Sequence, residues 1–156
     1  MEENDVVKID NELFKAVYAK DKKDPCNGCY FRSMDNICKK NEMEPICWET
    51  KGGKDFIFQK IESGVDLINA ERERQIKEEG WSMEHDDIAN NDEQLAQAAA
   101  LYALPECFRE YEYSVNNLWP WDKKWWKPTP DDRIRELAKA GALIAAEIDR
   151  LQRIQN

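Results

Sequence analysis

The chain has 156 residues, of which 42% are hydrophobic and 35% charged, and its formal net charge is −9. That balance is typical of a folded protein, and it argues against broad binding to nucleic acid, which needs a basic face. No apolar stretch approaches the roughly 18 residues of a membrane span, and the first ten residues lack the basic and apolar regions of a signal peptide. We therefore expect a cytoplasmic protein without a membrane partner.

The amino-terminal part, residues 1–60, predicts a small β module. VVKID and NELFKAVYA are rich in β-branched and aromatic residues, and they flank Asp10-Asn11, a pair that tolerates the left-handed geometry of a tight hairpin turn. A short amphipathic helix over residues 11–20 is the competing interpretation, because three apolar residues there also fit helical spacing. FIFQKI, beyond a Gly-Gly turn signal, predicts a further strand.

Four cysteines stand in this module at spacings that suit a metal site: Cys26, Cys29, Cys38 and Cys47. A CxxC turn directs two thiolates at one metal ion, and four thiolates complete the tetrahedral shell of structural zinc. The segment around them has few large apolar residues, so a staple would help it to fold. Two disulfides and free thiols are the alternatives, because spacing alone does not decide between them. In each case we expect the module to be structural rather than catalytic.

Residues 61–156 predict a helical domain with about three main helices, so the whole chain is expected to be α+β. The first helix should run from Val65 to Glu79 and end at Gly80, which suits a left-handed C-cap. The second should begin near Asn91, with two carboxylates in its first turn, and end before Pro105.

The last helix has the clearest signals, with Thr129 as the expected N-cap and Pro130 as the first helical residue. Its apolar stripe, spaced for one buried face, comprises Ile134, Leu137, Ala138, Gly141, Ile144, Ile148 and Leu151. The glycine and the neighbouring alanines permit close approach of another helix. That helix could be the alanine-rich second helix, or the same surface could serve a homo-oligomer.

Polar residues interrupt the face of the first helix that should be buried. Such a break marks either a solvated end of the helix or the wall of a polar pocket. The candidate ligand-binding residues on this helix are Glu71, Arg72, Arg74 and Gln75.

The segment after the first helix holds the only histidine of the chain. Glu84 and Asp87 stand three residues apart, so on a helix they share a face, where paired carboxylates suit Mg²⁺. His85 could act as a general acid or base near neutral pH. With Trp81 and Asp86, these residues form a candidate ligand-binding or catalytic site. The alternative is that the carboxylates cap the second helix.

Four of the six tryptophans lie in one proline-braced loop, namely Trp119, Trp121, Trp125 and Trp126. Their rings offer stacking surfaces, and Lys127 with two nearby lysines offers positive charge, so the loop has the ingredients for binding a base and a phosphate. The alternative is that the rings hold the loop against the core. On the last helix, a second face beside the apolar stripe adds Lys139 and Glu147 as pocket candidates.

Three strings in the helical domain, ERERQIKEEGWSMEHDD, LWPWDKKWWKP and KAGALIAAEIDR, resemble a widespread family of small phage and prophage proteins. The resemblance covers residues 70–150 and implies a phage or prophage context without a particular activity. CNGCYFRSMDNIC, with Cys47 after it, resembles cysteine modules of other phage and Bacteroides-type small proteins. Weaker likenesses are to ryanodine-receptor-type repeat domains and to MazG-type nucleotide pyrophosphohydrolases, whose paired ExxE helix is not evident here.

Three functions are compatible with these residues. The leading hypothesis is binding of a small nucleotide-type ligand, with tryptophans on the base and arginines or lysines on phosphate, in a protein that could sequester a host nucleotide signal. The second is Mg²⁺-dependent nucleotide hydrolysis, with Glu84 and Asp87 joined by Glu71 or Glu147 as metal ligands. The third is a protein-interaction adaptor that uses the tryptophan-rich loop as its binding hot spot.

Overall fold

The structure is a computed structural model that describes residues 2–32, 55–109, 115 and 117–155. The chain divides into two compact units, Met1–Glu62 and Ser63–Asn156. The described residues form a three-stranded antiparallel sheet in the first unit and five α-helices in the second, so the chain is a mixed α+β protein. Cys38 and Cys47 lie outside the described residues, and the four-cysteine staple stays a prediction.

The sheet of the first unit contains β1 (Val6–Ile9), β2 (Glu12–Tyr18) and β3 (Phe56–Lys60), in the order β1-β2-β3. Asp10 and Asn11 connect β1 to β2 with φ of 48° and 69°. A two-residue hairpin turn of this kind needs positive φ at both residues, which Asp and Asn adopt more readily than most. The predicted strands are confirmed, and the competing helix over residues 11–20 is wrong.

Aromatic side chains form the core of the first unit. Phe14 and Phe58 are fully buried, and the ring of Phe14 lies 5.0 Å from that of Tyr30 and 4.9 Å from that of Phe31. The Tyr30 N–H also donates to the Phe58 carbonyl at 2.8 Å. The described part of the cysteine segment is therefore attached to the sheet by ring packing and by a backbone hydrogen bond.

The second unit, called the helical unit below, contains α1 (Gly64–Glu79), α2 (Met83–Ala89), α3 (Gln94–Ala103), α4 (Glu106–Arg109) and α5 (Arg133–Gln155), with a 3₁₀ turn at Lys123–Trp125. Its core lies where α5 packs along α3 and α1. Within the described ranges we find no helix that combines the length and the apolar surface needed to span a bilayer.

Local sequence sets both ends of α1. Ser63 accepts from the Asp66 N–H, and the Asp66 carboxylate accepts from the Ser63 N–H at 3.0 Å, which is a reciprocal capping box. Gly80 ends the helix with a φ of 76°, a conformation that a side chain would strain. The predicted first helix and its glycine cap are confirmed.

The start of the second predicted helix is wrong. A separate short helix, α2, occupies the segment before it, and Glu93 adopts a left-handed φ of 59° that no α-helix interior accepts. α3 therefore begins at Gln94 rather than near Asn91. Its end at Ala103, before Pro105, agrees with the prediction.

The apolar stripe expected to be buried on α5 is mostly exposed, and that prediction is wrong. The exposed fraction of its isoleucines and leucines runs from 37% at Leu151 to 66% at Ile134. The face that is buried instead comprises Glu136, Ala138, Lys139, Ala140, Ala142, Leu143, Ala146, Glu147 and Arg150. Its alanines admit a neighbouring helix, and its charged groups have partners, so the polar face is tolerated inside.

The beginning of α5 also differs from the expectation. The helix starts at Arg133, and Asp132 rather than Thr129 accepts from a first-turn N–H, that of Arg135, at 3.0 Å. Further along, a Cβ at Gly141 would lie 2.5 Å from two carbons of Ile68, so the glycine admits α1. The alanines of α5 pack against α3, as predicted.

Glu136 is the polar centre of the helical unit. Its carboxylate is fully buried and accepts from Arg109 at 2.7 and 2.5 Å and from the Thr129 N–H at 3.0 Å. Arg133 lies 3.3 Å from the same carboxylate and donates to the carbonyls at the end of α3, those of Tyr102, Ala103 and Leu104. One carboxylate thus holds three segments that are distant in sequence.

Replacing Glu136 with Gln should lower the free energy of unfolding by about 3–5 kcal/mol, because Arg109 stays buried without its countercharge. Burial opposes the charged form of Glu136, but hydrogen bonds from Arg109 and Thr129 outweigh it and hold its pKa below the ordinary 4.5. A depressed carboxyl pKa stabilises the fold above the ordinary value, and this contribution is lost as pH falls through the folded pKa. The difference in free energy of unfolding between the native chain and Glu136→Gln, measured by urea denaturation, should therefore become smaller in acid.

Glu73→Gln is the matched control, because Glu73 forms an exposed pair with Lys77 at 2.7 Å on α1. This variant should change the free energy of unfolding far less. Equal losses of unfolding free energy in the two variants would show that the buried Glu136 stabilises the fold no more than an exposed carboxylate does.

Candidate functional site

Two neighbouring cavities lie in the helical unit and share walls formed by Trp81, Trp121 and Trp125. The polar cavity, of about 280 Å³, is lined by Glu71, Arg74, Gln75, Glu79, Trp81, Tyr102, Trp119, Trp121, Trp125, Lys127, Pro128, Thr129, Arg135, Lys139 and Leu143. The aromatic cavity, of about 310 Å³, is lined by Trp81, His85, Asp86, Ala89, Asn90, Leu95, Trp121, Asp122 and Trp125. Together they have the size of a small-molecule site, roughly 300–1,000 Å³.

One wall of the polar cavity is a row of oxygen-bearing side chains on α1. Glu71, Gln75 and Glu79 stand one helical turn apart, so they share a face. Arg74 donates to Glu71 at 2.9 and 2.7 Å and to Glu79 at 2.8 Å. The Gln75 Oε1 is buried and accepts no hydrogen bond from the described residues, so this wall offers one acceptor to a ligand.

The charge state of this wall follows from Arg74. Burial opposes the charged form of Glu71, but the hydrogen bonds and charge of Arg74 outweigh it, so the pKa of Glu71 lies below its ordinary value. Glu71 is therefore a charged acceptor at neutral pH rather than a proton donor.

Three other lining residues, Lys127, Arg135 and Lys139, contribute positive charge. The Lys139 ammonium donates to the Lys127 carbonyl at 2.7 Å and lies 5.4 Å from the centre of the Tyr102 ring. Burial, followed by the charge of Arg135, lowers the pKa of Lys139. Within the described ranges none of the three forms an ion pair with a carboxylate. They are placed to be neutralised by an anionic ligand.

A buried chain of hydrogen bonds positions the Trp121 ring between the cavities. Arg72 on α1 donates to Asp86 on α2 at 2.7 Å. Asn90 donates to the same carboxylate at 3.2 Å and accepts from Trp121 Nε1 at 3.1 Å. Asp86 and Asn90 are fully buried, where satisfied polar groups are held firmly. The tryptophan-rich loop is thereby connected to α1 and α2.

The four tryptophans of the loop have different roles. Trp119 and Trp126 pack on Tyr102, with ring centroids 5.9 and 4.6 Å away; Trp119 is buried in the core and Trp126 is partly buried against it. Trp121 and Trp125 line both cavities, and Trp125 is 43% exposed, with the Lys127 ammonium 5.6 Å from its ring centre. Trp119 and Trp126 therefore hold the loop, with Trp119 also lining the polar cavity, whereas Trp121 and Trp125 border both cavities.

Most of the residues selected from the sequence as ligand-binding line one or both cavities: Glu71, Arg74, Gln75, Trp81, His85, Asp86, Trp119, Trp121, Trp125, Lys127 and Lys139. The structure places the others elsewhere: Arg72, Glu84, Asp87, Trp126 and Glu147. Arg72 lies behind the wall against Asp86, and Glu147 is buried in a pair with Arg150 at 2.6 Å.

The two carboxylates considered as Mg²⁺ ligands lie away from both cavities, exposed on α2. Asp87 pairs with Arg153 at 2.7 Å, and that hydrogen bond lowers the pKa of Asp87. A hydrogen bond from Ser82 likewise lowers the pKa of Glu84. Among the residues that the structure describes, no group of three His, Cys, Asp or Glu side chains is arranged to hold a metal ion.

Several lining residues were not selected from the sequence, notably Asn90, Tyr102, Thr129 and Arg135. Arg135 precedes Lys139 by one turn of α5, so helical spacing alone could have identified it. Tyr102 comes from α3 and Asn90 from the end of α2. Only tertiary packing brings those two residues to the cavities.

In the first unit, Cys26 and Cys29 lie in a tight turn. The Cys29 N–H donates to the Cys26 carbonyl at 3.1 Å. This geometry suits a CxxC turn, while the remaining two cysteines lie beyond the described residues.

The sequence matches no protein-family model, and no curated protein or solved structure is significantly similar to it.

The hydrogen bond between Asn90 and Trp121 should appear as an energetic coupling. In a double-mutant cycle of Asn90→Ala and Trp121→Phe, we expect a coupling of about 0.5–1.5 kcal/mol in urea denaturation, because the second change costs less once the bond is gone. Asn90→Ala combined with Trp125→Phe is the matched control and should be additive. An additive result in the first cycle would mean that Asn90 does not hold the Trp121 ring.

Proposed function

We propose that the helical unit binds a small nucleotide-type ligand, with phosphate in the polar cavity and the base against the tryptophans. The observation that carries the proposal is the placement of Lys127, Arg135 and Lys139 in one cavity whose walls include Trp121 and Trp125. A resemblance to phage and prophage proteins adds a context in which the ligand would be a host nucleotide signal that the protein sequesters.

Electrostatics supports an anionic ligand in spite of the net charge of −9. The charged form of Lys139 is poorly solvated, since burial is the main cause of its lowered pKa. A phosphate beside Lys139 would replace the lost solvation with a charge-assisted hydrogen bond. The two carboxylates on α1 do not oppose this strongly, because Arg74 binds both of them.

The tryptophans support an aromatic group on the ligand. Trp81 and Trp121 lie with ring centroids 6.1 Å apart and tilted by 49°, at the junction of the two cavities. Stacking of a base on such a ring contributes about 1–3 kcal/mol. Asn90, His85 and Asp86 in the aromatic cavity would provide polar contacts to the edge of a base or to ribose hydroxyls.

A second candidate function is Mg²⁺-dependent nucleotide hydrolysis, as in MazG-type enzymes. It is favoured by the oxygen row of Glu71, Gln75 and Glu79, which faces the same cavity as the phosphate-binding cations. Carboxylate and amide oxygens are the ligands that Mg²⁺ prefers, and the unpartnered Gln75 Oε1 would be one of them. Glu71 and Glu79 would have to exchange Arg74 for the metal ion. In this candidate the metal ion would be held by the oxygen row on α1 instead of by Glu84 and Asp87.

A thermal-shift series with nucleosides and their mono-, di- and triphosphates tests binding. Phosphorylated ligands should raise the melting temperature of the native chain more than the nucleosides do, because only the folded cavity binds them. Lys139→Met should weaken binding by at least about tenfold, which is 1.4 kcal/mol. Lys123→Met, on the exposed 3₁₀ turn of the same loop, is the matched control and should bind normally.

The same panel with Mg²⁺ separates the two candidates. Binding without turnover supports capture, whereas turnover that Glu71→Gln abolishes supports hydrolysis. If no nucleotide binds, and a host protein co-purifies in a manner that Trp125→Ala abolishes, the tryptophan-rich loop serves an adaptor instead.

For the first unit we propose structural zinc held by Cys26, Cys29, Cys38 and Cys47. Metal analysis of the purified chain should then find zinc in proportion to protein, and Cys38→Ser should lose it together with thermal stability. Cys107→Ser, which removes an exposed cysteine of the helical unit, should keep the zinc. Absence of metal together with four oxidised thiols would favour two disulfides.

A further inference from the structure

The exposed apolar residues of α5 follow one regular pattern. Ile134, Leu137, Gly141, Ile144, Ile148 and Leu151, which we call the α5 stripe, alternate in steps of three and four. This is the a and d spacing of a helix that packs along one other helix. None of the six positions carries a polar side chain.

Apart from Gly141, every residue of the α5 stripe is more than a third exposed. Ile134 is 66% exposed and Ile148 51%, and on the adjoining α1 Val65 is 75% exposed. Ile68 of α1 occupies the space beside Gly141, so the apolar surface continues from α5 onto α1. Contiguous apolar patches of this kind mark interfaces.

We propose that the α5 stripe is the interface of a homodimer in which the α5 helices of two copies pack antiparallel. The stripe is complementary to itself in that orientation. A twofold axis near its centre pairs Ile134 with Leu151, and Leu137 with Ile148, so that each a position meets a d position of the other copy. In the central layer Ile68 of α1 covers Gly141, so Ile144 of the other copy meets Ile68 rather than the glycine.

The length of the stripe suits the packing of two helices along each other. At about 1.5 Å per residue the stripe is about 26 Å long. With the exposed Val65 of α1, it would form the apolar centre of an interface, which in a stable dimer buries roughly 800 Å² per partner. Two α1–α5 pairs joined across the axis form a four-helix arrangement, which buries the stripe on both copies.

This interface is distinct from the proposed ligand site. Arg135 and Lys139 reach the polar cavity from another face of α5, so a partner on the stripe leaves the cavities open. The inference therefore stands or falls independently of nucleotide binding.

Sedimentation equilibrium of the full chain tests the proposal. The native chain should sediment as a dimer of the 18.3 kDa protomer. Leu137→Glu places a charge in two layers of the interface and should raise the dissociation constant by more than about a hundredfold. Ile88→Glu makes a comparable aliphatic-to-acidic change at an 80% exposed residue of α2 and should leave the dimer intact.

Far-UV circular dichroism should be unchanged in Leu137→Glu, because the residue is 46% exposed in the protomer. If that variant loses helix content, Ile148→Glu in the same layer replaces it. A monomeric native chain overturns the proposal, whether the stripe is then covered by another protein or by nothing. A dimer that persists in both Leu137→Glu and Ile148→Glu overturns it as well.

Disulfide trapping tests the orientation. A mixture of Ile134→Cys and Leu151→Cys chains should form a crosslinked heterodimer under mild oxidation, because the two positions face each other in the antiparallel arrangement. Neither chain alone should crosslink beyond the level of the native chain. Crosslinking of Ile134→Cys with itself indicates a parallel dimer and contradicts the antiparallel one.

Discussion

The buried charge of Glu136 is the constraint on which the helical unit depends. It binds Arg109, which lies 27 residues earlier, and the N–H of Thr129 at the end of the tryptophan-rich loop. Through Arg133 it is also connected to the last carbonyls of α3. An interior carboxylate is stable only with its partners in place, so each of these segments is restricted to one position. The exit of the loop is therefore set by the helix that follows it.

The same helix determines how the loop meets the polar cavity. The Lys127 N–H donates to the Tyr102 hydroxyl at 3.2 Å, and the Lys127 carbonyl accepts from Lys139. Burial raises the pKa of Tyr102 to about 12, so its hydroxyl stays neutral at physiological pH. The backbone of Lys127 is thus held on both sides, while its ammonium and the Trp125 ring lie at the cavity. A fixed backbone with presented side chains is the arrangement that a precise binding loop requires.

The fold was most predictable where one or two residues determine the local backbone conformation. Asp10 and Asn11 do so in the hairpin turn, and Gly80 does so at the end of α1. The buried face of α5 was not predictable in this way, because its isoleucine stripe and its polar face share the same helical period. What decides between them is the pairing of Glu136 with a distant arginine. The candidate site shows the same limit. The tryptophans could be recognised from the unusual composition of the loop. The pairing of Asp87 with Arg153 could not be predicted, because the two residues lie 66 positions apart in the chain.

α5 carries an apolar stripe on one face and charged residues on the face that is buried. On the proposals above, a ligand would contact one face and a second copy another, so they would not compete for the same atoms. Any coupling between them would have to pass through the position of α5 itself, and it would be reciprocal. Because Ile68 packs directly against Gly141, a movement of α5 would be transmitted to α1 and to its oxygen row of Glu71, Gln75 and Glu79. The α1–α5 pair is therefore the element through which dimerisation and ligand binding would influence each other.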